Sequence, residues 1–315
     1  MKRWFAVLAV LAPVVGVAAL AGLGWTGGRP AAAQGQDFSK VEIKVKLAAG
    51  KVYMLEGAGG NIGVSAGEDG QLLVDDQFEP LAPKIRAALG SLTGGKLKFV
   101  LNTHWHPDHT GGNKIFGAEA PIFAHSNVRR RLAAEQTIRG QKLAPAPKEA
   151  LPVVTYDDHV SVHFNGEEIK IVHYPHGHTD GDSIVFFTGS NVVHMGDDFF
   201  AGRFPFVDLE SGGSVQGLID NVGKVLAMLP PDVKVIPGHG PLSTRDDLKR
   251  FHTMLVETTD LVRRALQAGK SLEQIQTAGL PESWKEWGQG FLDAKSWLQT
   301  IHDSLRRGSA GGGAS

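Results

Sequence analysis

The segment Thr103-His104-Trp105-His106-Pro107-Asp108-His109-Thr110-Gly111-Gly112 places three histidines and an aspartate within six residues. It follows the apolar run 96–102, so its chemistry begins at the C-terminal end of an expected strand. In extended backbone, side chains two apart point the same way. His104 and His106 can therefore chelate one ion, each at about 2.0–2.1 Å. Pro107 ends the strand, and the turn after it brings Asp108 and His109 alongside as ligands for a second ion. Gly111 and Gly112 let a helix start close by. A polar turn that merely contains histidines is a poor account of this density behind a buried strand.

His-Trp-His-Pro-Asp-His resembles the His-x-His-x-Asp-His signature of the metallo-β-lactamase superfamily. Further landmarks of that family follow in order. Leu73-Val74-Asp75 looks like the strand-end aspartate that buttresses the site, and Gly177-His178-Thr179 like the third-histidine motif. Met195-Gly196-Asp197 looks like the strand-end acid, and Pro237-Gly238-His239-Gly240 like the last histidine. The resemblance runs from about Val41 to Ala268. It implies an α/β chain folded as an αββα sandwich, two mixed sheets packed face to face with helices outside. It also implies one metal on His104, His106 and His178, a second on Asp108, His109 and His239, and Asp197 bridging them. By spacing alone His176 competes with His178, and Asp198 adjoins Asp197; the His-Thr-x-Gly and Gly-Asp contexts favour His178 and Asp197. The chain has no cysteine, which excludes a thiolate-ligated site and leans toward the glyoxalase II-like, cysteine-free arrangement.

The expected cofactors are two divalent ions. Imidazoles and carboxylates suit zinc, and iron or manganese accept the same donors. The expected function is hydrolysis of a β-lactam, lactone, ester or thioester, with Asp108 catalytic as well as ligating. The rivals are an iron-dependent oxygenase or oxidoreductase of the same fold, and a non-catalytic periplasmic metal-binding protein. Gly57, Gly59 and Gly60 lack the Gly-x-Gly-x-x-Gly or Lys-Ser/Thr context of a phosphate loop, so no cofactor-binding residue is assigned there. They look like a flexible hairpin tip, and Phe204-Pro205-Phe206 like a pocket wall. His159 and His163 alternate with apolar residues and should face solvent. His173, His252 and His302 carry no motif, and His125 and His194 sit at strand ends.

The elements that must hold these groups can be read from periodicity. Val41–Leu47 alternates apolar and polar residues as a half-buried strand does, and strand-like runs follow at 51–55, 61–65 and 71–75. A helix is expected over 80–92, a strand over 96–102, a short helix over 111–116 and a strand over 121–124. A longer helix is expected from Ser126 to about Arg139. Strands are expected at 153–156, 159–164, 167–174, 183–187, 191–195 and 233–236. Helices should cover 214–229 and 244–268, with Thr244 and Asp247 as a capping box, and shorter ones 271–278 and 293–306.

The ends read differently. Residues 1–33 have a basic start, an apolar middle and an Ala31-Ala32-Ala33 end, the pattern of a cleaved secretory signal. Retention as a membrane anchor is the competing reading. Residues 34–307 would form one catalytic domain with a C-terminal helical extension, and Gly/Ser/Ala-rich 308–315 a disordered tail. Without Lys2, Arg3 and Arg29 the balance is 29 basic to 33 acidic residues, a net −4 in place of −1. The expected location is outside the cytoplasm, in the periplasm, and a mildly acidic exported chain is a poor nucleic-acid binder. The expected partner is a small-molecule substrate, with no membrane contact after cleavage and the oligomeric state left open.

Overall fold

The computed structural model describes residues 37–311. Its first half supplies β1 (Lys44–Ala49), β2 (Val52–Glu56), β3 (Ile62–Gly67), β4 (Gly70–Val74), α1 (Ala82–Gly90), β5 (Leu97–Asn102), the single turns α2 (Pro107–Thr110) and α3 (Asn113–Phe116), and β6 (Ile122–His125). Then come α4 (Ser126–Leu132), the hairpin strands β7 (Gln136–Ile138) and β8 (Gln141–Leu143), and β9 (Val154–Tyr156). The second half holds β10 (His159–Phe164), β11 (Glu167–His173), β12 (Ser183–Phe187), β13 (Val192–His194), α5 (Val215–Met228), β14 (Lys234–Ile236) and β15 (Ser243–Thr244). It closes with α6 (Arg245–Gln267), α7 (Leu272–Ala278), α8 (Glu282–Lys285) and α9 (Ala294–Gly311).

Two mixed sheets result. The first has the order β1-β2-β3-β4-β5-β6-β9, antiparallel through β4 and parallel beyond it. The second has the order β10-β11-β12-β13-β14-β15, with β13 and β14 its parallel pair. Leu72, Val74 and Leu101 of the first sheet pack against Ile169, Ile171, Val185 and Ile236 of the second. Leu73, between two of these residues in sequence, instead packs with Ile85 and Leu89 of α1. Strand β4 is thus buried on both faces, which is why 72–74 reads as an unbroken apolar run. On the far side, Ile184 and Val193 lie under Leu218 and Val222 of α5, Phe251 of α6 and Trp297 of α9. The layers are helix, sheet, sheet, helix.

Several expectations need correction. The strand expected at Val41–Leu47 begins only at Lys44, and its alternation does not track burial: Leu47 is 58% exposed, while Val41 and Ile43, before the strand, lean on the core beneath α1. The helix expected from Ser126 to Arg139 stops at Leu132. Its second half is the β7–β8 hairpin, turned through Arg139 (φ 50°) and Gly140 (φ 77°), a pair of left-handed residues of the kind hairpin turns use. Helix α9 runs through Gly308–Gly311, part of the expected disordered tail. The expected signal segment lies outside the described residues. Among the described residues no helix is long and apolar enough to cross a membrane.

Candidate metal centre

The parallel pairs place the site. Strands β4 and β5 run the same way, so Asp75 and the His104–His109 segment emerge at one edge of the first sheet. Strands β13 and β14 do likewise in the second sheet, delivering Asp197 and His239. The Ser183 N–H donates to the Thr103 carbonyl at 2.8 Å, joining the two edges and bringing up the loop that carries His178. Open α/β sheets bind ligands at this carboxyl end of their strands.

All seven residues proposed as ligands converge there, in two groups: His104, His106, His178 and Asp197, and Asp108, His109 and His239. Within each group the candidate donor atoms lie within 4.8 Å of one another. Asp197 divides its carboxylate between them. Its Oδ2 lies 3.8 Å from His104 Nε2 and 3.5 Å from His178 Nε2. Its Oδ1 lies 3.1 Å from His109 Nε2 and 3.4 Å from His239 Nε2. Asp108 Oδ2 stands 3.3 Å from His239 Nε2. The alternatives fall away: His176 is exposed and turned to the Gly212 carbonyl, and Asp198 accepts from the His178 backbone N–H at 3.2 Å.

Second hydrogen bonds fix four of the five rings, and His239 instead stacks on Phe200. His106 is bonded through Nε2 to Asp208 at 3.0 Å, leaving Nδ1 to face His178. His178 Nδ1 meets the Phe206 carbonyl at 2.7 Å. His109 Nδ1 meets Asp75 Oδ2 at 2.7 Å, and Asp75 also accepts the Thr103 N–H at 2.8 Å and its hydroxyl at 2.7 Å. That hydroxyl lies 3.0 Å from His104 Nδ1. Each imidazole so held presents its other nitrogen to the cluster, the usual arrangement around metal-binding histidines. Asp75 does this from a left-handed backbone (φ 64°), a conformation aspartate tolerates better than most residues.

The fit to cations rests on what is left over. Among the described residues His104 Nε2 is buried without a hydrogen-bond partner, an expensive condition for a polar atom, and Asp197 Oδ1 makes no well-aligned hydrogen bond although His109 Nε2 stands 3.1 Å away. Burial holds His104 well below the ordinary imidazole range and His178 down to about 4, so both rings are neutral donors. In the second group burial also opposes charge on the rings, but the carboxylates outweigh it: Asp197, Asp75 and Asp108 raise His109 well above its usual value, and Asp197 and Asp108 raise His239 to about 9. Burial would push Asp108 and Asp197 up; the facing histidines hold Asp108 at about 2 and Asp197 well below the usual carboxylate range. Buried carboxylates that draw protons onto neighbouring imidazoles will accept divalent cations in the same place.

Glycines give the cluster room. A Cβ at Gly60 would stand 2.1 Å from His109 Cε1, and one at Gly238 2.0 Å from Asp197 Oδ1. The Gly57–Gly60 stretch is accordingly no free tip: the Gly60 N–H donates to the Asp108 carbonyl, and Gln77 Nε2 donates to the Gly60 carbonyl. Outside the cluster lies a cavity of about 620 Å³, walled by Ile138, Leu143, Phe200, Phe206 and Phe291. Of the expected wall, Phe206 lines this cavity, whereas Phe204 stacks on Trp297 in the core. His159 and His163 are exposed, as alternation required. Asp208, Arg139 and Arg203 were missed as contributors to the site. Asp208 lies 102 residues from the histidine it holds, and no local spacing marks it.

Residues 55–239 match the family model described as the metallo-beta-lactamase superfamily. A hydroxyacylglutathione hydrolase from Polaromonas sp. (strain JS666 / ATCC BAA-500) is 29% identical over 186 residues, 56% of this chain and 60% of that relative. Another from Synechococcus sp. (strain JA-2-3B'a(2-13)) is 27% identical over 215 residues, 65% of this chain and 77% of that relative. The chain thus spans about three fifths of the first of these relatives and more of the second. Among solved structures, a metallo-beta-lactamase from Pontibacter korlensis superposes with a TM-score of 0.57 at 15% identity, covering 68% of this chain and 99% of that one. A sec-alkylsulfatase from Pseudomonas sp. reaches 0.62 at 13% identity, covering 83% and 50%. With two histidine-aspartate groups at the joined edges of an αββα sandwich, and a family model spanning more than half its length, the chain belongs to the metallo-beta-lactamase superfamily.

Proposed function

We propose that this protein is a metal-dependent hydrolase acting on a carbonyl compound: an ester, thioester, lactone or β-lactam. The observation that carries the reading is Asp197, which turns one oxygen to each of two histidine groups at the floor of an open cavity. His104, His106 and His178 would hold one divalent cation and Asp108, His109 and His239 another, zinc being the best match and iron or manganese acceptable. When bound, such ions supply Lewis acidity and bring the pKa of a water toward about 7.

The chain's own groups do the rest. Asp108 and His239 are the most open members of the cluster, with side chains 22% and 20% exposed, so water and substrate meet the site beside them. Asp108 is ionised and can accept a hydrogen bond from the attacking water, orient it and take its proton. Asp75, Thr103, Asp208 and the Phe206 carbonyl keep the imidazoles from turning as charge shifts. The apolar walls hold the substrate and exclude bulk water.

The test is elemental analysis of purified protein beside a panel of esters, thioesters, lactones and β-lactams. About two equivalents of metal and turnover of at least one class are expected. A single tightly held ion, or no turnover by fully loaded protein, would refute the reading.

A further inference from the structure

The cavity over the candidate metal centre carries two guanidinium groups, and no carboxylate among the described residues pairs with either. Arg203 is half-buried and Arg139 exposed, and both line the cavity. Among the described residues, the acidic side chains on its wall are Asp108 and Asp197, both committed to the histidine groups. Arg131, which lies just before the β7–β8 hairpin, shows the contrast: its guanidinium is paired with Asp180 through two contacts of 2.7 Å.

The fold holds both free arginines in place. Arg203 follows Phe200, whose backbone bridges to His239. The segment before α9 packs on the Arg203 stem so closely that a Cβ at Gly290 would stand 3.0 Å from Arg203 Cβ. The Phe204 N–H donates to the Trp287 carbonyl at 3.3 Å, tying the same two segments together. Arg139 occupies the hairpin tip, its guanidinium 4.7 Å from the centroid of the Phe291 ring, a cation–π contact at the cavity mouth. Phe291 lines the same cavity and is 57% exposed, so its ring offers an apolar surface beside the Arg139 guanidinium.

A half-buried arginine without a counter-ion, beside aromatic walls, is a planar fork ready for an oxyanion. We propose that Arg203 and Arg139 form an anion subsite, and that the substrate is a hydrophobic acyl compound bearing an anionic group apart from its scissile carbonyl. The carbonyl lies over the histidine-aspartate floor, the apolar part against Phe200, Phe206 and Phe291, and the anion on the arginines. This assignment of the substrate rests on the hydrolytic reading; the anion subsite itself does not.

The test uses zinc-loaded full-length protein and two probes, 1-octanesulfonate, whose sulfonate is a poor metal ligand, and neutral 1-octanol, titrated calorimetrically. The wild type should bind the sulfonate more tightly. The Arg139→Gln/Arg203→Gln double variant should bind it at least tenfold more weakly with octanol affinity unchanged, and Arg203→Lys should retain part of the preference. Unchanged sulfonate affinity in the double variant overturns the proposal, and so does an equal loss of both probes, which would report a disturbed cavity rather than a lost charge. Hydrolysis is read separately with mono-4-nitrophenyl suberate and neutral 4-nitrophenyl octanoate. The double variant should lose at least tenfold in kcat/KM on the hemiester alone. Arginine-dependent sulfonate binding without turnover of any ester, thioester or lactone would sink the hydrolase reading and the acyl substrate while leaving the anion subsite standing. Turnover with no arginine dependence would do the reverse.

Discussion

In the function proposed above Asp108 meets two demands at once: its carboxylate stands 3.3 Å from His239 Nε2, placed to share a cation with it, and it faces the open cavity. Asp108→Asn keeps its size and removes both its charge and its capacity to take a proton. Turnover should fall about 10²–10⁴-fold, the usual worth of a general base, with added loss of metal. Asp232→Asn, on an exposed turn, should change neither and is the control to run beside it. Asp69, in the β3–β4 turn, would be a poorer control because its carboxylate accepts the Asn165 N–H at 2.6 Å and so links the two sheets. Asp208→Ala removes the partner of His106 Nε2 and should weaken the metal on that side about 10–100-fold, the typical effect of losing such a support; competition with a chromophoric chelator measures it. The pH dependence has a definite sign. His239 holds its proton up to about 9 in the metal-free protein, so a cation entering there must displace it. Apparent affinity for the second ion should therefore rise about tenfold per pH unit for each proton displaced as pH climbs toward 9. A titration that is flat between pH 6 and 9 would count against this seat.

Among the elements, the parallel pairs β4–β5 and β13–β14 matter most, because each ends two site-bearing loops at one edge. Those loops must approach closely, and Gly60 shows how closely: a methyl there would fall on the His109 ring. Gly60→Ala should destabilise the protein by about 1–3 kcal/mol, the usual range for overpacking, and lower the content of the second metal. Thermal unfolding with and without added zinc would separate those effects. Helix α6 offers a comparison remote from the chemistry. Its capping box, with Thr244 Oγ1 and the Asp247 carboxylate each bonded to the other's backbone, was legible from residue spacing. The β7–β8 hairpin was not, because the residues after Ser126 suit a helix until Arg139-Gly140 turns the chain back.

For the whole molecule, the C-terminal extension is part of the core. Trp297 is fully buried, donates its indole N–H to Thr258 and stacks on Phe204, so α9 closes the outer face of the second sheet. Phe291 from the same extension stands at the cavity mouth. Truncation after Gly269 should therefore yield insoluble or unfolded chain, whereas removal of 312–315 should leave solubility and melting temperature unchanged. At the other end, the basic start and Ala31-Ala32-Ala33 lead us to expect export with cleavage before Gln34. N-terminal sequencing of protein from the cell envelope checks it, and an intact Met1 in the membrane fraction would favour the anchor.

Local spacing by itself determined the outline of this protein. His104-x-His106 at a strand end, Asp108-His109 past a proline, and the later His178, Asp197 and His239 motifs marked the candidate ligands that the fold brings together, because ligands on one short segment must obey strand and turn geometry. The unbroken apolar run 72–74 marked a strand buried on both faces, and the amphipathic stretch 214–229 marked a helix whose buried face repeats with its period. What only the tertiary structure decided are choices between neighbours and partners far apart in the chain. His178 over His176 and Asp197 over Asp198 depend on which way a loop turns its side chains. Asp208 beneath His106, Phe206 behind His178, and Arg203 held by Gly290 depend on segments that meet only when the second sheet packs on the first. Such contacts leave no period or spacing in the sequence, because the free energy that makes them comes from burying both sheets together.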